Sequence, residues 1–152
     1  SRNFCMKSTN MIDSMTFSHR PQDGISVGFA TIGDVAYMAV GFVRQGDFFN
    51  RKLARRILAQ RIASSIERNS TVPMVARILT NPKVDARAVV REFRKSFKPD
   101  PTCQDNTFSM LYSFGEAETP VREPMSRDQA FLKIVDMFGN AVSAANKVAQ
   151  TA

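Results

Sequence analysis

A chain of 152 residues, 43% hydrophobic and 23% charged, suits a single globular domain large enough to bury a core. No apolar run approaches the roughly 20 residues of a membrane span, and two cysteines, Cys5 and Cys103, are too few for a disulfide framework or a zinc site. The polar opening residues carry no signal-peptide pattern, so the expected location is a reducing cytoplasm.

The net charge of +7 is unevenly spread. Residues 44–98 hold 14 Lys and Arg against 4 Asp and Glu, a local excess of ten positive charges. The remainder holds 7 basic and 10 acidic residues. A basic middle in an otherwise mildly acidic chain is the footprint of a polyanion site. The competing explanation is that the cations only keep the chain soluble.

Residues 1–14 are polar and rich in Met and Ser, and they read as a flexible N-terminal arm. Residues 15–150 read as one α+β domain. Met15–Arg20 is expected at a sheet edge, followed by a turn over Pro21-Gln22-Asp23-Gly24. Ile25–Thr31 and Val35–Arg44 form two strands around Gly33-Asp34, a pair that suits a two-residue hairpin. The second strand is apolar on both faces, with Val35, Tyr37, Ala39 and Val43 opposite Met38, Val40 and Phe42. That marks a central strand, or one covered by a helix and a partner.

A helix is expected next, with Asp47 as its N-cap. Phe49, Leu53 and Ile57 would dock it, and Arg51, Lys52, Arg55 and Arg56 would line the other side. Beyond Gln60 this sorting fails, because Ile62 and Ile66 fall in line with the cations; burial in another subunit would account for them. Thr71–Leu79 favours a strand.

Val84–Lys98 is the most informative stretch. At ~100° per residue, Arg87, Arg91, Arg94, Lys95 and Lys98 share one helical stripe, while Ala86, Val89, Val90, Phe93 and Phe97 fill the opposite one. A solvated helix usually mixes signs on its outer face. Here Glu92 is expected to point elsewhere, leaving the cations for something negative outside the helix. Pro99 and Pro101 end it.

The segment 106–115 alternates Phe108, Met110, Tyr112 and Phe114 against Ser109, Leu111 and Ser113, a half-buried strand signature. Residues 116–124 read as a loop. Ser126 and Gln129 form a capping box for a last helix, whose stripe runs through Phe131, Ile134, Val135, Phe138, Ala141, Val142 and Ala145. The expected fold is therefore α+β, a mainly antiparallel sheet of four or five strands flanked by about three helices.

Basic helices beside strands give two parts of a single-strand binder. Lys and Arg neutralise phosphates, and aromatic rings stack unpaired bases for roughly 1–3 kcal/mol each. The phosphate candidates are Arg51, Lys52, Arg55, Arg56, Arg87, Arg91, Arg94, Lys95 and Lys98; the stacking candidates are Tyr37, Phe108, Tyr112 and Phe114. Those aromatics equally suit a core. Catalysis has little support. His19 stands alone beside Arg20, no glycine-rich phosphate loop is present, and the acids are scattered, so no catalytic residue, metal or cofactor is expected. The cations at Val84–Lys98 come late in their helix, which suits backbone tracking better than major-groove reading.

The junction Ala36–Ile62, an apolar strand, a short polar turn and an Asn-Arg-Lys…Arg helix, resembles that of small accessory proteins of tailed phages. The whole pattern is most similar to the single-stranded-DNA-binding transcription regulators of N4-like phages (Drc-type). The resemblance implies cooperative, sequence-independent binding of single-stranded DNA and a role in phage transcription or replication. Many phage single-strand binders end in an acidic, partner-recruiting tail, whereas this sequence ends "AANKVAQTA", which puts that mode of recruitment in doubt. The expectation is a non-enzymatic single-stranded DNA binder, a homo-oligomer, with a host or phage transcription or replication protein as a further partner. The alternatives are a module or inhibitor docking on an acidic host protein, and a structural subunit.

Overall fold

The structure, a computed structural model, describes residues 14–21, 24–43, 48–80, 84–97, 109–112, 121–124 and 126–151, with the backbone alone described for 109–112, 121–124 and 150–151. The N-terminal arm expected over residues 1–14 lies outside them apart from Ser14.

The Gly33-Asp34 pair does what its chemistry allows. Gly33 takes φ +60° and joins strands β2 (Ile25–Ile32) and β3 (Val35–Phe42), which pair antiparallel from Ile32↔Val35 to Ile25↔Phe42. A positive φ at the first central residue alone is the type II′ pattern, which suits the twist of a hairpin. Strand β1 (Thr16–Arg20) pairs with β2, and the Gly24 N–H donates to the Pro21 carbonyl at 3.2 Å in the turn between them. Helix α1 (Arg51–Arg68) then leads to β4 (Val75–Leu79), antiparallel to β3. The four strands stand in the order β1-β2-β3-β4, so β3 is central and β1 is an edge. Helices α2 (Ala86–Ser96) and α3 (Arg127–Thr151) complete an α+β fold.

Alternation along the strands loads both faces of the sheet. Val27, Phe29, Met38, Val40 and Ala76 face α2 and α3 and form one core with Val89, Phe93, Ile134 and Phe138. Ala30, Tyr37, Ala39 and Val75 face α1 and pack on Leu58, Ala59 and Ile62. Helices on both sides explain the doubly apolar β3 without a partner subunit.

Several expectations change here. Helix α1 starts at Arg51, and Asn50 caps it by accepting from the Leu53 N–H at 3.0 Å; Asp47 lies outside the described residues. The docking face is Leu58, Ala59, Ile62 and Ser65, not Phe49, Leu53 and Ile57, and Leu53 is 48% exposed. The chain's own sheet therefore covers Ile62, with Ile66 packed beside it, and burial in another subunit is not needed. The cause is close approach. A Cβ on Gly28 would stand 3.3 Å from the Leu58 Cβ and from the Phe17 ring, so small residues on the sheet let this part of the helix settle.

Strand β4 starts at Val75, after a turn in which Met74 takes φ +63°. Residues 109–112 do form a strand, β5, but it pairs with β6 (Val121–Pro124) in a separate two-stranded sheet, where a loop was expected over 121–124. At α3 the expected capping box is present: the Gln129 N–H donates to Ser126 Oγ at 3.2 Å, and the Ser126 N–H to Gln129 Oε1 at 3.0 Å.

Candidate nucleic-acid interface

Among the described residues no strand pairs with the outer side of β1, and that edge is where the cations of α1 and α2 meet. Phe17 and His19, two residues apart, point to the α1 side. Arg20 is buried toward the other side, with its guanidinium 4.8 Å from the Phe97 ring centre. From α1, Arg55 lies 4.9 Å over the Phe17 ring and its Nε donates to His19 Nε2 at 3.3 Å. From α2, Arg94 reaches around the edge and donates to the Phe17 carbonyl at 2.8 Å. That carbonyl therefore faces away from β2, as alternate residues of an antiparallel edge must.

Two depressions follow the edge. One, of about 390 Å³, is lined by Phe17, His19, Arg20, Arg51, Arg55 and Arg94, together with Ser18 and Phe97. The other, of about 520 Å³, lies among Thr16, Phe17, Arg87, Val90, Arg91 and Arg94. They share Phe17 and Arg94, so they adjoin along the edge and together make a trough, and among the described residues neither lining contains a carboxylate. At ~3.3 Å per strand residue the β1 part of it is about 13 Å long.

His19 records the field in that trough. Its ring stacks on Phe17 at 6.0 Å and meets Phe49 edge-on at 5.5 Å. Because Nε2 accepts from Arg55, Nδ1 carries the hydrogen and donates to Ser26 Oγ at 2.8 Å. Burial, then the charges of Arg55, Arg51 and Arg94, lower its pKa from 6.5 to about 4. Three guanidinium groups from two helices thus act on one imidazole, which stays neutral at pH 7.

The candidates separate clearly on this geometry. Arg51, Arg55, Arg87, Arg91 and Arg94 converge on the trough. Lys52 and Arg56 are exposed on α1 but line neither depression. Lys95 is paired with Glu92 at 2.7 Å, so the expectation that Glu92 points elsewhere fails; residues three apart are neighbours on a helix. Tyr37 is 5% exposed, packed between the sheet and α1, with Arg77 5.8 Å over its ring, and it is not open to stack a base. The Tyr112 side chain, Lys98, Phe108 and Phe114 lie outside the described residues.

Sequence reasoning did not place Phe17, Phe49 or His19 among these cations. The available signal was the alternation of Phe17 and His19 on an edge strand, but it points to a face and not to which helix covers that face. It also could not separate Arg61 from its neighbours. Arg61 donates to the Val40 carbonyl and ties α1 to β3, and burial and the charge of Arg127 lower its pKa. Among the described residues no three His, Cys, Asp or Glu side chains gather to hold a metal, and no helix is long and apolar enough to cross a membrane. No protein-family model, curated protein or solved structure matches the chain.

Proposed function

We propose that this chain binds single-stranded DNA, without catalysis and largely without regard to base sequence. The phosphodiester backbone runs along the β1 edge between α1 and α2. One observation carries the reading: five arginines from two separate helices converge on one strand edge whose lining, among the described residues, holds no carboxylate. Cations placed so gain from phosphates both by direct attraction and by release of condensed counterions. Arginine also donates bidentately to phosphate oxygens.

The trough's dimensions favour a single strand. About 13 Å of edge, walled by Phe17 and His19 with Phe49 against the imidazole, takes a few nucleotides and offers rings beside them. So short a site gives modest affinity alone, which fits a protein that works as aligned copies on a longer strand. A homo-oligomer serving phage transcription or replication in the host cytoplasm is the setting we propose.

The test is a filter-binding titration of the native chain with single- and double-stranded oligonucleotides at two salt concentrations. The single strand should bind more tightly, with log K falling against log salt at a slope of about −3.5 for some five phosphate contacts. Absence of salt-sensitive binding to either nucleic acid overturns the proposal. A second reading, docking of β1 onto a strand of an acidic protein, has the open edge in its favour. Arg94 already occupies the Phe17 carbonyl that such pairing would need, so we place it second. Capture of a host protein that survives nuclease treatment would reverse that order.

A further inference from the structure

We infer that Arg51, Arg55 and Arg94 form a seat for one phosphate of the bound strand, and that filling this seat hands His19 a proton, so that binding tightens as the solution becomes more acidic. The inference rests on the single-strand reading above and assigns one part of that site a chemical task.

The Arg55–His19 hydrogen bond is the reason. Among the described lining residues Arg55 meets no acid, and the acceptor it uses is the lone pair of His19 Nε2, at 3.3 Å. Protonating Nε2 would set an N–H against the Arg55 Nε–H, two donors facing each other. The imidazole is thus held neutral by a partner that is itself waiting for an anion. A phosphate oxygen is the stronger acceptor for guanidinium. Once Arg55 turns to it, Nε2 is released, and a protonated His19 can donate to the same phosphate.

Electrostatics runs the same way. Among the described residues, the charged groups facing His19 are Arg51 and Arg55 of α1 and Arg94 of α2, with Arg20 next to it on β1; Ser26 of β2 accepts from Nδ1 and does not titrate in this range. No carboxylate is among these neighbours. A bound phosphate offsets the three guanidinium charges that lower the pKa, whereas burial, the largest cause, remains. The midpoint therefore rises from about 4 toward the ordinary 6.5. By linkage, each unit of that rise makes binding about tenfold tighter at the acid end of the window. Above about pH 7 the imidazole is neutral bound or free, and affinity no longer depends on it.

His19 is the only histidine in the chain, so its ring proton resonances report without ambiguity. The experiment follows their shift against pH in the native protein, free, with a short oligothymidylate, and with sulfate as a free-anion arm. The expected result is a midpoint raised by the oligomer, tighter oligomer binding at about pH 5 than at about pH 7.5, and loss of that difference in His19→Gln. Binding with an unmoved midpoint overturns the inference and leaves the single-strand reading intact. An equal shift with sulfate at matched concentration overturns the assignment to the strand. If no oligomer binds at either pH, both fall together.

Discussion

On the face of the sheet that carries α2 and α3, Phe29 meets Phe93 at 4.9 Å and Phe138 at 6.0 Å, and all three rings are fully buried. The opposite face offers Gly28, Ala30, Ala39 and Gly41 to a single helix, α1, which settles close over them. The first face has large side chains and two helices to cover it. The second mixes these small residues with Tyr37 and Val75 and has one helix whose first turns lie beyond the packed face, leaving Leu53 half-exposed and bringing Arg51 and Arg55 beside β1. The lesson is one of division of labour. Bulk on one side fixes the fold, and sparseness on the other leaves an edge open for cations to line.

That contrast can be broken from either side. The largest effect is expected from Phe138→Ala, which empties the centre of the aromatic face and should cost about 3–5 kcal/mol in urea unfolding. A loss below about 1 kcal/mol would mean that this face does not dominate stability. Next, joint replacement of Arg51, Arg55 and Arg94 by Gln should weaken single-strand binding roughly tenfold to a hundredfold and reduce the salt slope by about two. Unfolding should change little. Lys52→Gln with Arg56→Gln, outside the trough, sharpens the comparison, because it should move affinity much less. Equal losses from the two sets would place the strand elsewhere.

Gly28→Val tests the sparse face. Its branched side chain meets Leu58 and the Phe17 ring, and overpacking should cost about 1–3 kcal/mol and displace α1, so binding should fall together with stability. The smallest effect concerns pH. His19 has its folded pKa lowered to about 4 from 6.5, so the unfolded chain takes up the proton first. Its contribution is complete above about pH 6.5 and is lost as pH falls through about 4, on the order of 1 kcal/mol once solvent screening of this partly exposed ring is allowed for. Urea midpoints of the native chain and His19→Gln should diverge in the native protein's favour as pH rises across that window. Parallel curves would show that the trough exerts no such field on the ring.

Much of the fold was readable in advance because its signals are local. The Gly33-Asp34 turn, the capping box at Ser126 and Gln129, and the sorted stripe of α2 each depend on residues within a few positions of one another. Helix α1 resisted, since its docking face is chosen by glycine and alanine on strands far away in sequence. Of the candidate site, the arginines were legible as cations but not as a group. Arg55 and Arg94 are 39 positions apart, and only the wrapping of both helices around β1 brings them to the same ring. Tyr37 misled for a related reason: alternation shows that a residue has a face, and not what covers it.

From its residues alone, this protein was bound to form amphipathic segments, a tight hairpin and a cationic middle, because backbone preference and helical or strand periodicity act over short range. Which cations would share a surface, and whether a ring would be walled in or open, was decided by tertiary packing. Charges and rings interact through space, and the sequence does not state the distances.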